Sequence, residues 1–214
     1  MIRKSVFAAA GLYAAMLALA AGCAKLPVER DASLRASPDA DLERARAAAL
    51  TFNNRLRGQL QAAMATGGPV TAVEVCHGEA PQIAAAVMQE HGVRLGRVAL
   101  PGRNRNAAQA AGDWQLATLQ AFARAAERGA AAGDQLAVMR DGLPAGIALR
   151  MMRGIATEPL CLACHGAHVA PEVRAAIDRH YPDDHATGFE VGDLRGALWV
   201  EVPAGEVSAT GGHP

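Results

Sequence analysis

The run Cys161-Leu162-Ala163-Cys164-His165 constrains this chain more than any other feature. Two cysteines three positions apart, followed at once by a histidine, form the C-x-x-C-H pattern of c-type haem attachment. Each position has a chemical task. The two thiols add to the two vinyl groups on one edge of a haem, and the histidine beside the second thiol brings an imidazole under the iron as proximal ligand. Two other chemistries use cysteines this close together. Structural zinc wants four protein ligands and usually a second paired cluster, which is missing here. A redox C-x-x-C pair sits at a helix start on a thioredoxin-like sheet, which the element order below does not support. The pattern predicts one covalent haem c on Cys161 and Cys164, with His165 on the iron.

The N-terminus reads as an address. Arg3 and Lys4 precede Ser5 to Ala21, a run without charge, ending in small residues; this is a secretory signal over residues 1–23. It falls short of the ~20 residues of a spanning helix. Leu19-Ala20-Ala21-Gly22-Cys23 resembles a bacterial lipobox, with Leu19 one place further from the cysteine than usual. Cys23 is thus expected to be lipidated, anchoring the protein to a membrane of the bacterial envelope on the periplasmic side. Cleavage after Ala18-Leu19-Ala20, giving a soluble periplasmic protein, is the second choice. The full chain carries 21 basic and 21 acidic residues; without Arg3 and Lys4 the count is 19 against 21, a net charge of −2. No basic face for nucleic acid is implied, and at 51% hydrophobic residues the chain is not a disordered one. Outside the cytoplasm a free thiol is unusual unless paired, lipidated or bound to something. Phe52, Trp114, Phe122, Tyr181, Phe189 and Trp199 are the aromatics left for the fold. They are few for its size, and a bound apolar cofactor would supply part of such a core.

Residues 24–38 read as a tether, 39–203 as a domain and 204–214 as a flexible tail. Ser37-Pro38-Asp39 starts a helix, and Phe52, Leu56, Leu60 and Met64 recur every four residues along it. Gly67-Gly68-Pro69 should stop it. A short helical stretch then leads to Cys76 and Gly78, and a second helix runs from about Ala80 to Glu90, ended by Gly92. Val93–Leu100 has strand composition. Asp113 caps a third helix closed by Gly129. Gln135–Arg140 and Gly146–Ile155 read as paired strands joined at Asp141-Gly142. A helix over Pro171–His180 and a strand over Leu194–Val202 follow. This order predicts an α+β domain with an antiparallel sheet and long N-terminal helices.

For the iron's sixth ligand the candidates are Cys76, His77, His168, His180, His185, Met139, Met151 and Met152. His168 stands too near His165 to reach the opposite haem face. Cys76 is the cysteine left over once Cys23, Cys161 and Cys164 have their uses, so it is either an inert buried thiol or a ligand. Arg103, Arg105 and Arg195 are candidates to pair with haem propionates, against the plainer reading of surface arginines beside acids.

Several stretches together resemble the Tll-type c-haem domain family. They are Ala72-Val73-Glu74-Val75-Cys76 with Ala80-Pro81, Arg103-Asn104 with Asn106 and Trp114, and Glu158-Pro159-Leu160 running into the haem motif and Gly166. Tyr181-Pro182, Asp184, Ala186, Gly188-Phe189 and Gly192-Asp193-Leu194-Arg195-Gly196-Ala197 resemble its closing motif. The likeness covers about residues 40–203. It implies a PAS-like fold with N-terminal helices and an iron held between His165 and Cys76. Three departures stand out: His77 beside Cys76 is a rival ligand, Arg105 stands where proline is common, and no aromatic lies near Met151.

Two protein ligands leave no open position on iron, so the expectation is a redox or haem-based sensor or redox-responsive module, not an enzyme. Without a kinase, cyclase or second transmembrane segment in the chain, its output would pass through a signalling partner. The alternative is a lipid-tethered mono-haem electron carrier that meets a redox partner protein.

Overall fold

The computed structural model describes residues 38–205. The expected signal, Cys23, all of the tether but Pro38, and residues 206–214 lie outside them. Helix α1 spans Pro38–Glu74 and breaks at Gly68, where φ 70° and ψ −167° leave helical space. Pro69 follows directly. A residue before proline is pushed out of helical conformation, and only glycine takes this one freely. The expected stop is therefore a kink: the chain resumes helical conformation after it. A π-helical turn, Val75–Glu79, joins this arm to α2 (Ala80–His91), the Ala80 amide reaching back to the Val75 carbonyl. Pro81 fits the first turn of α2, and Gly92 ends it at φ 60°.

Four antiparallel strands make one sheet: β1 (Arg94–Val98), β2 (Leu136–Met139), β3 (Ile147–Ala156) and β4 (Leu194–Pro203), in the order β1-β4-β3-β2. β1 and β2 are shorter than their composition suggests. Beyond Val98, Ala99 makes only a bridge to Ala110. Helix α3 (Asp113–Glu127) has Gly112 at its N-cap, not Asp113, which opens the helix at φ 44°. The Cys161–His165 motif lies on a 3-10 turn (Pro159–Cys161) and a single-turn helix α4 (Leu162–His165), and α5 runs over Pro171–His180.

Alternation along the strands divides the core. Leu149, Met151, Leu198, Val200 and Val202 face the stripe of α1 formed by Ala45, Ala48, Ala49, Phe52 and Leu56. Small alanines in that stripe let the helix backbone lie close to the sheet. The opposite face carries Met152 and Ala197 with Trp199, against Leu119 and Phe122 of α3, and Trp114 meets Trp199 edge-on at 6.3 Å. Each such aliphatic or aromatic side chain, once buried, contributes about 1.5–3 kcal/mol. Glu201, only 5% exposed, sits between Arg150 (2.8 Å) and Arg94 (3.4 Å), its cross-strand neighbours. Among the described residues no helix is long and apolar enough to cross a membrane.

Candidate haem site

Between α1 and the strands a cavity opens, enclosing about 950 Å³ of atom-free space including its mouth. Leu60, Met64 and Val73 from α1, Val98 from β1, Ile155 from β3 and Leu160 before the motif make its walls apolar. Cys76, Cys161, Cys164 and His165 all line it, and the three cysteines are free thiols. The π-turn turns Cys76 inward and leaves its neighbour outside. His77 stacks on His180 at 4.2 Å and meets Tyr181 edge-on, and it does not line the cavity. His168, His180, His185, Met139, Met151 and Met152 do not line it either. Of the eight candidates for a sixth ligand, the structure brings only Cys76 to the cavity.

His165 is held by the loop that follows α5. Its Nδ1–H donates to the Ala186 carbonyl at 2.7 Å, so Nε2 keeps its lone pair. The Phe189 amide donates to the His165 carbonyl (3.0 Å) and the Gly188 amide to Gly166 (3.1 Å), zipping the two loops together. Burial, with the Arg195 and Arg105 guanidinium groups nearby, holds the imidazole well below its usual pKa and keeps it neutral. A neutral, oriented imidazole with one committed nitrogen is the form a metal ligand requires. Burial pushes the Cys164 thiol up.

Asp184 anchors that loop. Its carboxylate, 1% exposed, accepts from Arg105 Nε (3.1 Å) and Nη2 (3.3 Å), from Arg174 Nη1 (3.1 Å) and from the Ala186 amide (2.9 Å). Arg105 also donates to the Cys164 carbonyl at 2.6 Å. The arginine standing at a proline position thus clamps the motif helix to the closing loop, and its guanidinium is largely committed to that bond set. Arg103 lies outside the cavity, over the Phe189 ring at 3.9 Å. Arg195 reaches in, its Nη2 donating to His165 Nε2 at 3.3 Å while Nε is buried without a partner. Burial, with Arg97 and Arg105 close by, lowers its pKa to about 10.

Sequence reasoning missed Arg97, which lines the cavity from β1. The available signal was strand alternation: Arg97 shares a face with Leu95, which packs under α1. It also missed the bonds of Asp184 to Arg105 and Arg174 and of Ala186 to His165, which join distant segments and which no local pattern announces. On the motif's other side, Glu158 pairs with Arg57 of α1 (2.8 Å), and its amide donates to Cys161 Sγ (3.4 Å). No three His, Cys, Asp or Glu side chains among the described residues converge on a point that would hold a bare metal ion. The donor set suits a large planar group bonded at its edge better than zinc.

Fold and site together define an α+β protein whose antiparallel sheet and broken N-terminal helix enclose a cavity lined by a Cys-x-x-Cys-His motif and a distant cysteine. The model of the Tll0287-like family matches residues 31–203, and the chain belongs to that family. Among solved structures it is similar to the crystal structure of the cyanobacterial heme-protein Tll0287. That match has 27% identity and a TM-score of 0.57, covering 76% of this chain and 94% of the other. No curated protein matches the sequence.

Proposed function

We propose that this is a c-type haem protein of the bacterial envelope that responds to redox state. Cys161 and Cys164 would form the thioether links, and His165 and Cys76 would hold the iron. The observation that carries this reading is the convergence of those four side chains on one apolar cavity, with His165 Nε2 turned toward it and Nδ1 committed elsewhere. The description of the solved relative as a heme-protein supports it.

When bound, the haem supplies a one-electron Fe(III)/Fe(II) couple. The residues around it tune and report that couple. Cys76, as thiolate, donates charge and favours the ferric state, lowering the reduction potential relative to Met/His ligation. His165, held by Ala186, keeps a fixed ring orientation. With both positions taken no site is left for a substrate, so the role is a response to electrons and not turnover. Cys76 rides on the π-turn between two helical segments, a weak point of helix geometry often found at functional sites. Loss of the sulfur on reduction would free that turn, and a signalling partner would read the change. The PAS-like description belongs to this reading, with the N- and C-terminal strands β1 and β4 as neighbours. So do an exported chain and a lipid on Cys23 holding it to a membrane.

A tethered mono-haem electron carrier, docking on a redox partner, is the second reading. Its support is Leu160, 41% exposed at the cavity beside Cys161, an apolar contact beside the expected haem edge.

EPR of the ferric protein, produced with its own signal and a c-haem maturation system, tests the ligand set. A narrow low-spin g-spread is expected, lost in Cys76→Ala; an unchanged spectrum in that variant removes Cys76 from the iron. Hydrogen exchange over residues 69–91 separates the roles. Faster exchange on reduction supports the sensor. Identical exchange in both states, with rapid electron exchange with other cytochromes, supports the carrier.

A further inference from the structure

The cavity carries more positive charge than its surroundings neutralise. Arg97, Arg105 and Arg195 all line it, and no carboxylate does. Arg105 is satisfied by Asp184 and the Cys164 carbonyl from outside. The other two are not. Among the described residues the Arg97 side chain makes no hydrogen bond or ion pair. Arg195 has one acceptor, His165 Nε2, and a buried Nε with none.

The fold aims Arg195 there deliberately. In the β3–β4 ladder Ile155 pairs with Gly196 and Ala156 with Leu194, so Arg195 is skipped. A bulge of this kind redirects a side chain, and bulges concentrate beside functional sites. Strand alternation would place Arg195 with Ala197 and Trp199 on the α3 face; the bulge delivers it to the cavity instead. Arg97 arrives from β1 by simple alternation. A guanidinium withdrawn from water without an anion, as that of Arg195 is, is costly. That cost grows if iron takes the Nε2 lone pair, because Arg195 then loses its acceptor.

We propose that Arg97 and Arg195 are the anion-binding pair of this cavity and hold the two propionate carboxylates of the haem. Guanidinium groups suit this because each presents parallel N–H donors to both oxygens of a carboxylate. Two cations would meet two anions, and the orphaned Nε would gain its partner. The assignment differs from the sequence expectation at three residues: Arg103 and Arg105 are engaged elsewhere, and Arg97 is added. It rests on the haem reading.

Spectroelectrochemistry of the matured full-length protein between about pH 5 and 8 tests it, comparing wild type with Arg97→Gln, Arg195→Gln, Arg195→Lys and the surface control Arg46→Gln. Loss of a cation beside the iron favours the ferric state, so both Gln variants should lower the midpoint potential. They should also make it pH-dependent, as carboxylates no longer held by arginine titrate in this range. Arg195→Lys should restore most of the potential, and Arg46→Gln should match wild type. Arg97→Gln keeps the inference testable should Arg195→Gln not fold. Unchanged potentials and profiles in a wild type that carries covalent haem overturn the pair and leave the haem reading intact. A wild-type potential that moves on adding inorganic phosphate at constant ionic strength means the pair is open to free anions, which also overturns it. A matured wild type without covalent haem overturns both readings at once.

Discussion

His165 reaches Asp184 through one residue. The imidazole Nδ1–H is bonded to the Ala186 carbonyl, and the Ala186 amide is bonded to the Asp184 carboxylate. Asp184→Asn keeps the shape and one acceptor but leaves Arg105 and Arg174 without their shared anion. Breaking a buried pair this way costs about 3 kcal/mol. Urea denaturation should show that loss, and the ferric EPR spectrum should broaden as the imidazole loses its fixed orientation. A second expectation concerns pH in a Cys161→Ser/Cys164→Ser chain, which lacks both thiols proposed to attach haem. There the folded pKa of His165 is depressed below the unfolded value of about 6.5. Its contribution is whole above that pH and is lost as pH falls, because the unfolded chain then binds the proton the folded one refuses. The urea midpoint should therefore fall between about pH 7.5 and 5.5. Adding His165→Gln should flatten that fall; an equally steep fall with Gln would assign it to other groups.

Two glycines show how local geometry serves the elements. Gly68 has φ 70° at the kink of α1, and an added Cβ there would meet open space. Only backbone strain opposes Gly68→Ala, so a loss of about 1–3 kcal/mol is expected. Gly196 has φ 149° beside the bulge that turns Arg195, and an added Cβ would collide with the Val98 carbonyl. Gly196→Ala should cost more than Gly68→Ala in the same denaturation assay. Because the collision lies between β1 and β4, it should also lower the yield of matured haem protein. The amphipathic stripe of α1, the Pro81 start of α2 and the strand alternation were readable because each depends on a short repeat. The bulge was not. A skipped residue is a property of two paired strands, and Leu194-Arg195-Gly196 alone carries only its glycine as a hint.

At the scale of the molecule, the cavity is a gap in the main core, walled by Leu60, Met64 and Ile155, which pack at the edge of the α1 cluster. Filling that gap with a covalently held apolar group stabilises the native state and not the unfolded one. The matured protein should melt well above the Cys161→Ser/Cys164→Ser chain, and the latter should bind a hydrophobic dye more strongly. Equal melting temperatures would place the haem outside the core. The Cys-x-x-Cys-His motif, the long helix and the antiparallel class were determined by the sequence alone, because motif spacing and hydrophobic periodicity act between residues a few positions apart. The tertiary structure decided which of eight candidates lines the cavity with His165, why Arg105 clamps the motif helix, and that Arg97 joins Arg195. Those choices depend on burial and on contacts between distant segments: a π-turn that sends Cys76 inward and His77 outward, a loop that zips onto the haem motif, and a bulge that swings one arginine across the sheet.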